Sequence, residues 1–180
     1  MSGPGSTHYA LSAIGRDRPG IVAAISKVLL DVEGNIEDSQ MSILRGHFAV
    51  MLIVSVPEGV ERDDLDRRLQ RVRSELDLEA IAVNEVAELE PGGGPTHTLS
   101  VYGADHPGIV HAVSEALAGH GANVTDLQTK LTGSGDNPVY VMLMEVEVSG
   151  DAGELRAALE RVAEQAGLDV SLRELGAEVL

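Results

Sequence analysis

The sequence predicts an α+β protein made of two small domains that share the element order βαββαβ. The first observation is a long repeat, in which Tyr9–Val22 recurs as His97–Val110 and the match continues without a gap until Gln40 aligns with Gln128. The second is the order of hydrophobic periodicities, which alternates between strand-like and helix-like runs within each copy. The third is size, because 180 residues with 43% apolar content suffice for two small packed cores.

The first half of each copy predicts a strand, a loop and a helix. In the first copy, Tyr9–Ile14 is a short strand-like run that Gly15 closes. From residue 19 or 20 the apolar residues return at helical spacing, and Gly34 ends this region. We expect Asp17 to cap the helix by accepting a hydrogen bond from the amide of Gly20.

The second half predicts a hairpin, a second helix and a last strand. Ile36–Leu44 and Phe48–Val56 are β-rich runs joined by the short connection Arg45–His47, which grows to 132–138 in the second copy. The second helix of the first copy is predicted by the helical spacing of Leu65, Leu69, Val72 and Leu76, and that of the second copy by Leu155, Leu159 and Val162. The last strands are expected near Ala80–Leu89 and Val170–Leu175. This order is the ferredoxin-like split βαβ arrangement, a four-stranded antiparallel sheet with both helices on one face.

A glycine-rich segment between prolines separates the two copies and predicts a linker. The expected organisation is a flexible tail at 1–7, a first domain at 8–90, a linker at 91–96 and a second domain at 97–180. Phe48–Val56 is apolar on both faces, which is more than one helix layer can bury. We therefore expect the two sheets to lie alongside or against each other.

Composition excludes several classes of site. The absence of cysteine excludes disulfides, thiolate metal sites and a cysteine nucleophile, and no histidine pair lies within a metal-ligand motif. A net charge of −16 and 2% aromatic residues argue against direct nucleic-acid binding. No catalytic constellation, cofactor motif, signal peptide or membrane span is recognisable. We expect a cytoplasmic protein that is not an enzyme and holds neither cofactor nor metal.

The loop before the first helix has two interpretations. Asp17 and Asp105 suit a good helix start, whereas Gly20 and Gly108 are unfavourable inside a first turn unless another group needs the space. Free amides at a helix N-terminus suit an anion such as a carboxylate.

An asparagine opens the second strand of each copy, and it also has two interpretations. Asn35 and Asn123 can serve as turn residues. Alternatively, each offers one acceptor and two donors, enough to hold an α-amino or α-carboxyl group.

The motif Asp-x-Pro-Gly-Ile-Val, followed by Asn-Ile or Asn-Val at the second strand, resembles the ACT domain, a small regulatory module that binds amino acids. The tandem arrangement resembles the glycine cleavage system transcriptional repressor group. In ACT domains, ligands generally sit at interfaces between paired domains. The resemblance implies the following ligand-binding residues: Asp17, Pro19, Gly20, Ile21, Asn35 and Ile36, and equivalently Asp105, Pro107, Gly108, Ile109, Asn123 and Val124.

The resemblance thus implies a non-enzymatic regulatory protein that binds a small amino acid. It also implies a homo-oligomer that regulates the transcription of genes for amino-acid or glycine metabolism through a protein partner. Two alternatives stay open: a regulatory subunit of a separate amino-acid metabolic enzyme, and an assembly module without a ligand. Direct DNA binding through the helix that carries Arg67–Arg73 is a third, against which the charge argues. In the aligned repeat, Arg16 and Arg18 of the first copy correspond to Ala104 and His106 of the second. Two identical sites are therefore not expected.

Overall fold

The computed structural model describes residues 6–86, 93–133 and 138–176, and the chain divides into one compact unit up to Glu90 and one from Pro91. Most of the predicted tail, 1–5, and the first linker residues, 91–92, lie outside the described residues. The predicted domain boundaries stay predictions.

Within the described residues, each unit contains four strands and two helices in the expected order. The first unit consists of β1 (Ser6–Arg16), α1 (Ile21–Asp31), β2 (Asn35–Leu44), β3 (His47–Pro57), α2 (Arg62–Glu75) and β4 (Leu78–Val86). The second consists of β5 (His97–Ala104), α3 (Ile109–Gly119), β6 (Ala122–Thr132), β7 (Val139–Val148), α4 (Ala152–Ala166) and β8 (Leu168–Glu174). The sheet orders are β2-β3-β1-β4 and β6-β7-β5-β8, with every pair antiparallel. The predicted fold class is confirmed.

A separate aliphatic core lies between sheet and helices in each unit. Alternate residues of β1, such as Tyr9 and Leu11, are buried together with Ile25 of α1 and Leu65 of α2. The equivalent core of the second unit includes Leu99, Val113, Met142 and Leu155. Burying these apolar side chains supplies the main favourable free energy of folding.

The prediction that Gly15 closes the first strand is wrong, because β1 continues to Arg16. Gly15 lies inside the strand at an irregularity in its pairing with β4. A Cβ atom at Gly15 would lie 3.0 Å from the Cα of Leu78, so glycine is needed there for close approach of the neighbouring strand.

The predicted helix cap is also wrong. Gly20 occupies the N-cap position of α1 at φ 98°, and no side chain accepts a hydrogen bond from the first turn. Gly108 has φ 99° at the start of α3, which likewise has no side-chain cap. The Asp17 amide instead donates to the carbonyl oxygen of Gly46 at 2.9 Å and ties the loop to the β2–β3 turn.

Positive φ therefore explains the glycines after proline. A Cβ atom added at Gly20 or Gly108 would meet no atom of this chain within 4 Å, so packing within the domain does not require glycine there. Only glycine adopts this left-handed conformation without steric cost.

The first hairpin is tighter than expected. Arg45 and Gly46 form its turn at φ 50° and 83°, and His47 already belongs to β3. Positive φ at both central residues matches the right-handed twist of a two-residue hairpin. Part of the longer connection in the second unit, 134–137, lies outside the described residues.

Candidate functional site

The predicted site residues fall into two groups at opposite ends of each domain. The Asp17 amide lies beside the β2–β3 turn, whereas Asn35 is the first residue of β2. The ten residues of β2 span about 30 Å between these two ends. A ligand in contact with one domain alone would meet one group and not the other.

The first group surrounds an uncapped helix start in both domains. Asp17, Pro19 and Gly20 are exposed, whereas Ile21 is only 2% exposed and belongs to the core. The first helical hydrogen bond is donated by the amide of Ala24 to the carbonyl of Gly20. The three amides that precede it have no partner within the helix, and they form the positive end of the helix dipole.

The second group lies on an edge strand. Asn35 and Asn123 are exposed, Ile36 is 38% exposed and Val124 is half-buried. A pairing irregularity follows each pair, between Ile36 and Asp38 and between Val124 and Asp126. Both copies thus present the asparagine amide to the outside just before a β-bulge, which bends the strand locally.

The second domain has a pocket of about 590 Å³ at the start of α3. Its lining combines polar groups with the helix start: Asp105, His106, Gly108, Ile109, Val110, His111, Ser114 and Tyr140. The structure therefore brings three predicted residues together here, namely Asp105, Gly108 and Ile109. Pro107, Asn123 and Val124 do not line this pocket.

Five lining residues were not predicted as ligand-binding: His106, Val110, His111, Ser114 and Tyr140. Ser114 follows His111 by three positions, so helical spacing could have placed both on one face of α3. Tyr140 comes from β7 and pairs with Gly103 of β5. No local signal reveals that proximity, because strand pairing across the sheet creates it.

The polar groups of the pocket interact with one another. Burial raises the pKa of the Tyr140 phenol above its usual value, the negative charge of Asp105 raises it further, and a hydrogen bond with Thr129 opposes the shift. The Tyr140 hydroxyl is 3.9 Å from the sulfur of Met142. Tyr140 therefore stays a neutral donor at physiological pH.

The loop carries different contacts in the two domains. In the second, His106 Nδ1 lies 3.1 Å from the carbonyl oxygen of Pro107 and Nε2 lies 3.2 Å from that of Ala166. In the first, Arg18 Nη2 lies 3.8 Å from Asp77 Oδ2. The two copies thus use different side chains for the contacts of the same loop.

The arginines of α2 mostly serve local contacts. Asp64 accepts hydrogen bonds from Arg67 at 3.1 Å and Arg68 at 2.8 Å, and the Arg68 hydrogen bond holds the pKa of that carboxyl below its usual value. Arg73 Nε donates to the carbonyl oxygen of Leu78 at 3.3 Å. These pairs favour the interpretation of this helix face as a solvated, salt-bridged surface.

Two further searches cover the described part of the chain. Residues 6–86, 93–133 and 138–176 contain no group of three or more histidines or carboxylates that could hold a metal ion. None of the helices within these ranges is long and apolar enough to cross a membrane.

Comparison with known proteins identifies both repeats. ACT-domain family profiles match residues 8–83 and 97–166. UPF0237 protein MK1213 of Methanopyrus kandleri is 40% identical over 80 residues, which are 44% of this chain and 89% of that protein. The chain belongs to the ACT-domain family and carries two ACT domains in tandem.

Matches that cover more of the chain have lower identity. Phosphoserine phosphatase SerB2 of Mycobacterium tuberculosis is 26% identical over 96% of this chain, which spans 42% of the phosphatase. The glycine cleavage system transcriptional repressor of Escherichia coli is 27% identical over 69% of this chain and 66% of the repressor. A crystal structure of an unknown protein from Galdieria sulphuraria has a TM-score of 0.78 and 29% identity, and the match covers 94% of this chain and 99% of that one. The predicted resemblance to the repressor group is confirmed.

Proposed function

We propose that this protein is a non-enzymatic sensor of a small amino acid, and that the pocket at the start of α3 is its principal binding site. The pocket itself carries the proposal, because it combines an uncapped helix start with an acidic and a phenolic side chain. Membership of the ACT-domain family supports it.

The pocket has complementary groups for both charged ends of an amino acid. The ligand carboxylate accepts from the free amides of Ile109 and Val110, where the helix dipole favours an anion. The ligand ammonium is held by the exposed carboxylate of Asp105. Ser114 and Tyr140 then border the space left for a small side chain.

Regulation follows from a difference in ligand affinity between two states of the protein. The likeness to the glycine cleavage system transcriptional repressor supports an effect on gene expression. We propose that this effect passes through a protein partner in the cytoplasm, with the chain as a homo-oligomer. Residues 1–90 carry nine basic and sixteen acidic groups, and residues 91–180 carry four and thirteen, so neither half has the basic excess that supports DNA affinity.

A second candidate is a regulatory component of a separate amino-acid metabolic enzyme. The alignment with phosphoserine phosphatase SerB2 over 96% of this chain favours it. Copurification of the tagged chain with a phosphatase activity, altered by the bound amino acid, would support this candidate over the transcriptional one.

A thermal-shift screen with the twenty amino acids tests the sensor proposal. A ligand that binds only the folded state, present at about 100 times its Kd, adds roughly 2.7 kcal/mol of stability. We expect one or a few small amino acids to raise the melting temperature. Absence of any shift would contradict the sensor and favour the ligand-free assembly module.

Matched variants then locate the binding site by calorimetry. Asp105→Asn removes the carboxylate proposed to hold the ammonium and should weaken binding by about 1.5–3 kcal/mol. Asp17→Asn is the matched control in the first domain and should leave that affinity unchanged. Equal losses in the two variants would show that both domains bind.

The asparagines test the second group of predicted residues. If Asn35 or Asn123 contacts a charged ligand group, its replacement by alanine should cost about 1.5–3 kcal/mol of affinity. Both are exposed, so folding should be unaffected. Unchanged affinity in both variants would remove the edge-strand group from the site.

A gel-shift titration at physiological salt tests the partner proposal against DNA contact. Sequence-specific binding of the isolated protein at nanomolar concentration, abolished by Arg67→Ala with Arg71→Ala, would overturn it.

A further inference from the structure

His106 connects the loop before α3, which lines the second-domain pocket, to the end of α4. It precedes α3, lines the pocket, and reaches the carbonyl of Ala166, the last residue of α4. Both ring nitrogens face carbonyl oxygens, Nδ1 that of Pro107 at 3.1 Å and Nε2 that of Ala166 at 3.2 Å. A carbonyl only accepts, and a neutral imidazole has one N–H, so only the protonated ring donates to both.

In the first domain, an ion pair between Arg18 and Asp77 connects the loop before the first helix to the residue before the last strand. Arg18 occupies the position of His106 in the repeat, and Asp77 precedes β4 as Gly167 precedes β8. Arg18 Nη2 lies 3.8 Å from Asp77 Oδ2. A guanidinium stays charged across the whole physiological range, so this contact does not depend on pH there.

The groups around His106 include several that carry negative charge or a partial negative charge. The C-terminal carbonyls of α4 form the negative end of its helix dipole. Asp105 adjoins His106 in the loop, and His111 of α3 and Tyr140 of β7 share the pocket. The charged residues nearest to Ala166 in sequence are Glu164 on α4 and Asp169 on β8, and both are acidic.

We propose that His106 is a protonation-dependent clasp. When protonated, it fixes the loop before α3 to the end of α4 and adds positive charge to the pocket wall; when neutral, it loses one of the two hydrogen bonds. Protonation of an imidazole increases as pH falls, so the clasp closes on acidification. The first-domain loop, held by Arg18, does not respond.

The proposal extends to the ligand, and in this respect it rests on the proposed function. A positive charge beside the free amides of α3 favours a carboxylate, so carboxylate binding and protonation of His106 reinforce each other. The second domain would then bind an amino acid more tightly at pH 6 than at pH 8.

Hydrogen–deuterium exchange of the ligand-free full chain tests the clasp without any assumption about function. Rates are measured at pH 5.5 and 8 and corrected for the intrinsic pH dependence of exchange. The amide of Ala112, which donates to the carbonyl oxygen of Gly108, should be several-fold better protected at pH 5.5 in the wild-type chain, whereas that of Ala24, which donates to Gly20, should show no such difference.

Four variants make this test specific. His106→Arg should protect the second loop at both pH values, and His106→Ala at neither. Arg18→His should transfer the pH dependence to the first loop. His111→Gln, which changes the other pocket imidazole, should leave the wild-type pattern intact. Protection of the Ala112 amide that is independent of pH in the wild type, or unchanged in His106→Ala, would overturn the clasp.

Calorimetry with glycine, the smallest ligand with both a carboxylate and an ammonium, tests the coupling. We expect several-fold tighter binding at pH 6 than at pH 8 in the wild type and no difference in His106→Arg. Glycine binding that is absent or equally tight at both pH values would overturn the coupling, while the exchange result would still decide the clasp.

Discussion

The two ACT domains have the same backbone at the start of their first helices but different side chains around it. Gly20 and Gly108 have φ values of 98° and 99°, and neither helix has a side-chain cap. Around them, His106 of the second domain occupies the position of Arg18 in the first. Likewise Tyr140, which lines a pocket, occupies the position of the buried Phe48. The two domains thus share the glycine that the backbone conformation requires and differ in the side chains that a ligand would contact.

The outward faces of both sheets expose apolar side chains. In the first domain this face includes Ala10, Ile14 and Met51, of which Ile14 is 46% and Met51 56% exposed. In the second domain a hollow of about 420 Å³ is lined by polar residues such as Ser100 and Arg173 together with Leu143, which is 47% exposed. The apolar excess expected from Phe48–Val56 is therefore present in the first domain. The arrangement of the two sheets relative to each other stays a prediction.

The largest contrast is expected at Phe48 and Tyr140. Phe48 is 2% exposed, so Phe48→Ala should cost about 3–5 kcal/mol of unfolding free energy. Tyr140 is only half-buried, and Tyr140→Ala should cost less than half of that. Urea unfolding followed by circular dichroism measures both. Equal losses would mean that Tyr140 is a core residue like Phe48 and not a pocket residue.

The glycines that begin α1 and α3 should instead behave alike. Gly20→Ala and Gly108→Ala should each cost about 1–2 kcal/mol, because alanine is strained at positive φ. Gly119→Ala is the control: glycine there lies in a helix without positive φ, and alanine should stabilise by about 0.4–1 kcal/mol. Unequal losses at Gly20 and Gly108 would show that one of them has a role beyond its backbone conformation.

The second helices should differ at their N-termini. Asp151 accepts hydrogen bonds from the amides of Gly153 at 2.7 Å and Glu154 at 3.1 Å, whereas Glu61 makes no such contact at the start of α2. Asp151→Ala should therefore cost about 1 kcal/mol, and Glu61→Ala less than about 0.5 kcal/mol. Denaturant unfolding of both variants checks this. A loss at Glu61 as large as that at Asp151 would contradict it.

The smallest effect concerns ionisation of Tyr140, which has no counterpart at Phe48. Because its folded pKa is raised, folding favours the neutral phenol. That contribution is complete below about pH 10, the unfolded value, and is lost as pH rises through the folded pKa. Asp105→Asn should lower the pKa of Tyr140, measured by ultraviolet titration with Tyr140→Phe to identify its signal. An unchanged titration would show that Asp105 has no electrostatic influence on this phenol.

The fold class and the repeat follow from the amino-acid sequence alone. Alternating apolar residues predict strands such as β3, and helical spacing of Leu65 and Leu69 predicts α2, because each pattern follows from the geometry of one element. The motif around Gly108 and Ile109 pointed to the loop where the pocket lies. These features depend on residues close together in the chain.

Tertiary structure alone decided which distant residues meet. Tyr140 reaches the pocket because β7 pairs with β5, and His106 reaches Ala166 because α4 ends beside the loop. It also gave Gly15 its role, since only the neighbouring strand brings Leu78 within 3.0 Å of the place where a Cβ would be. Such contacts are set by sheet register and helix packing, which local periodicity does not encode.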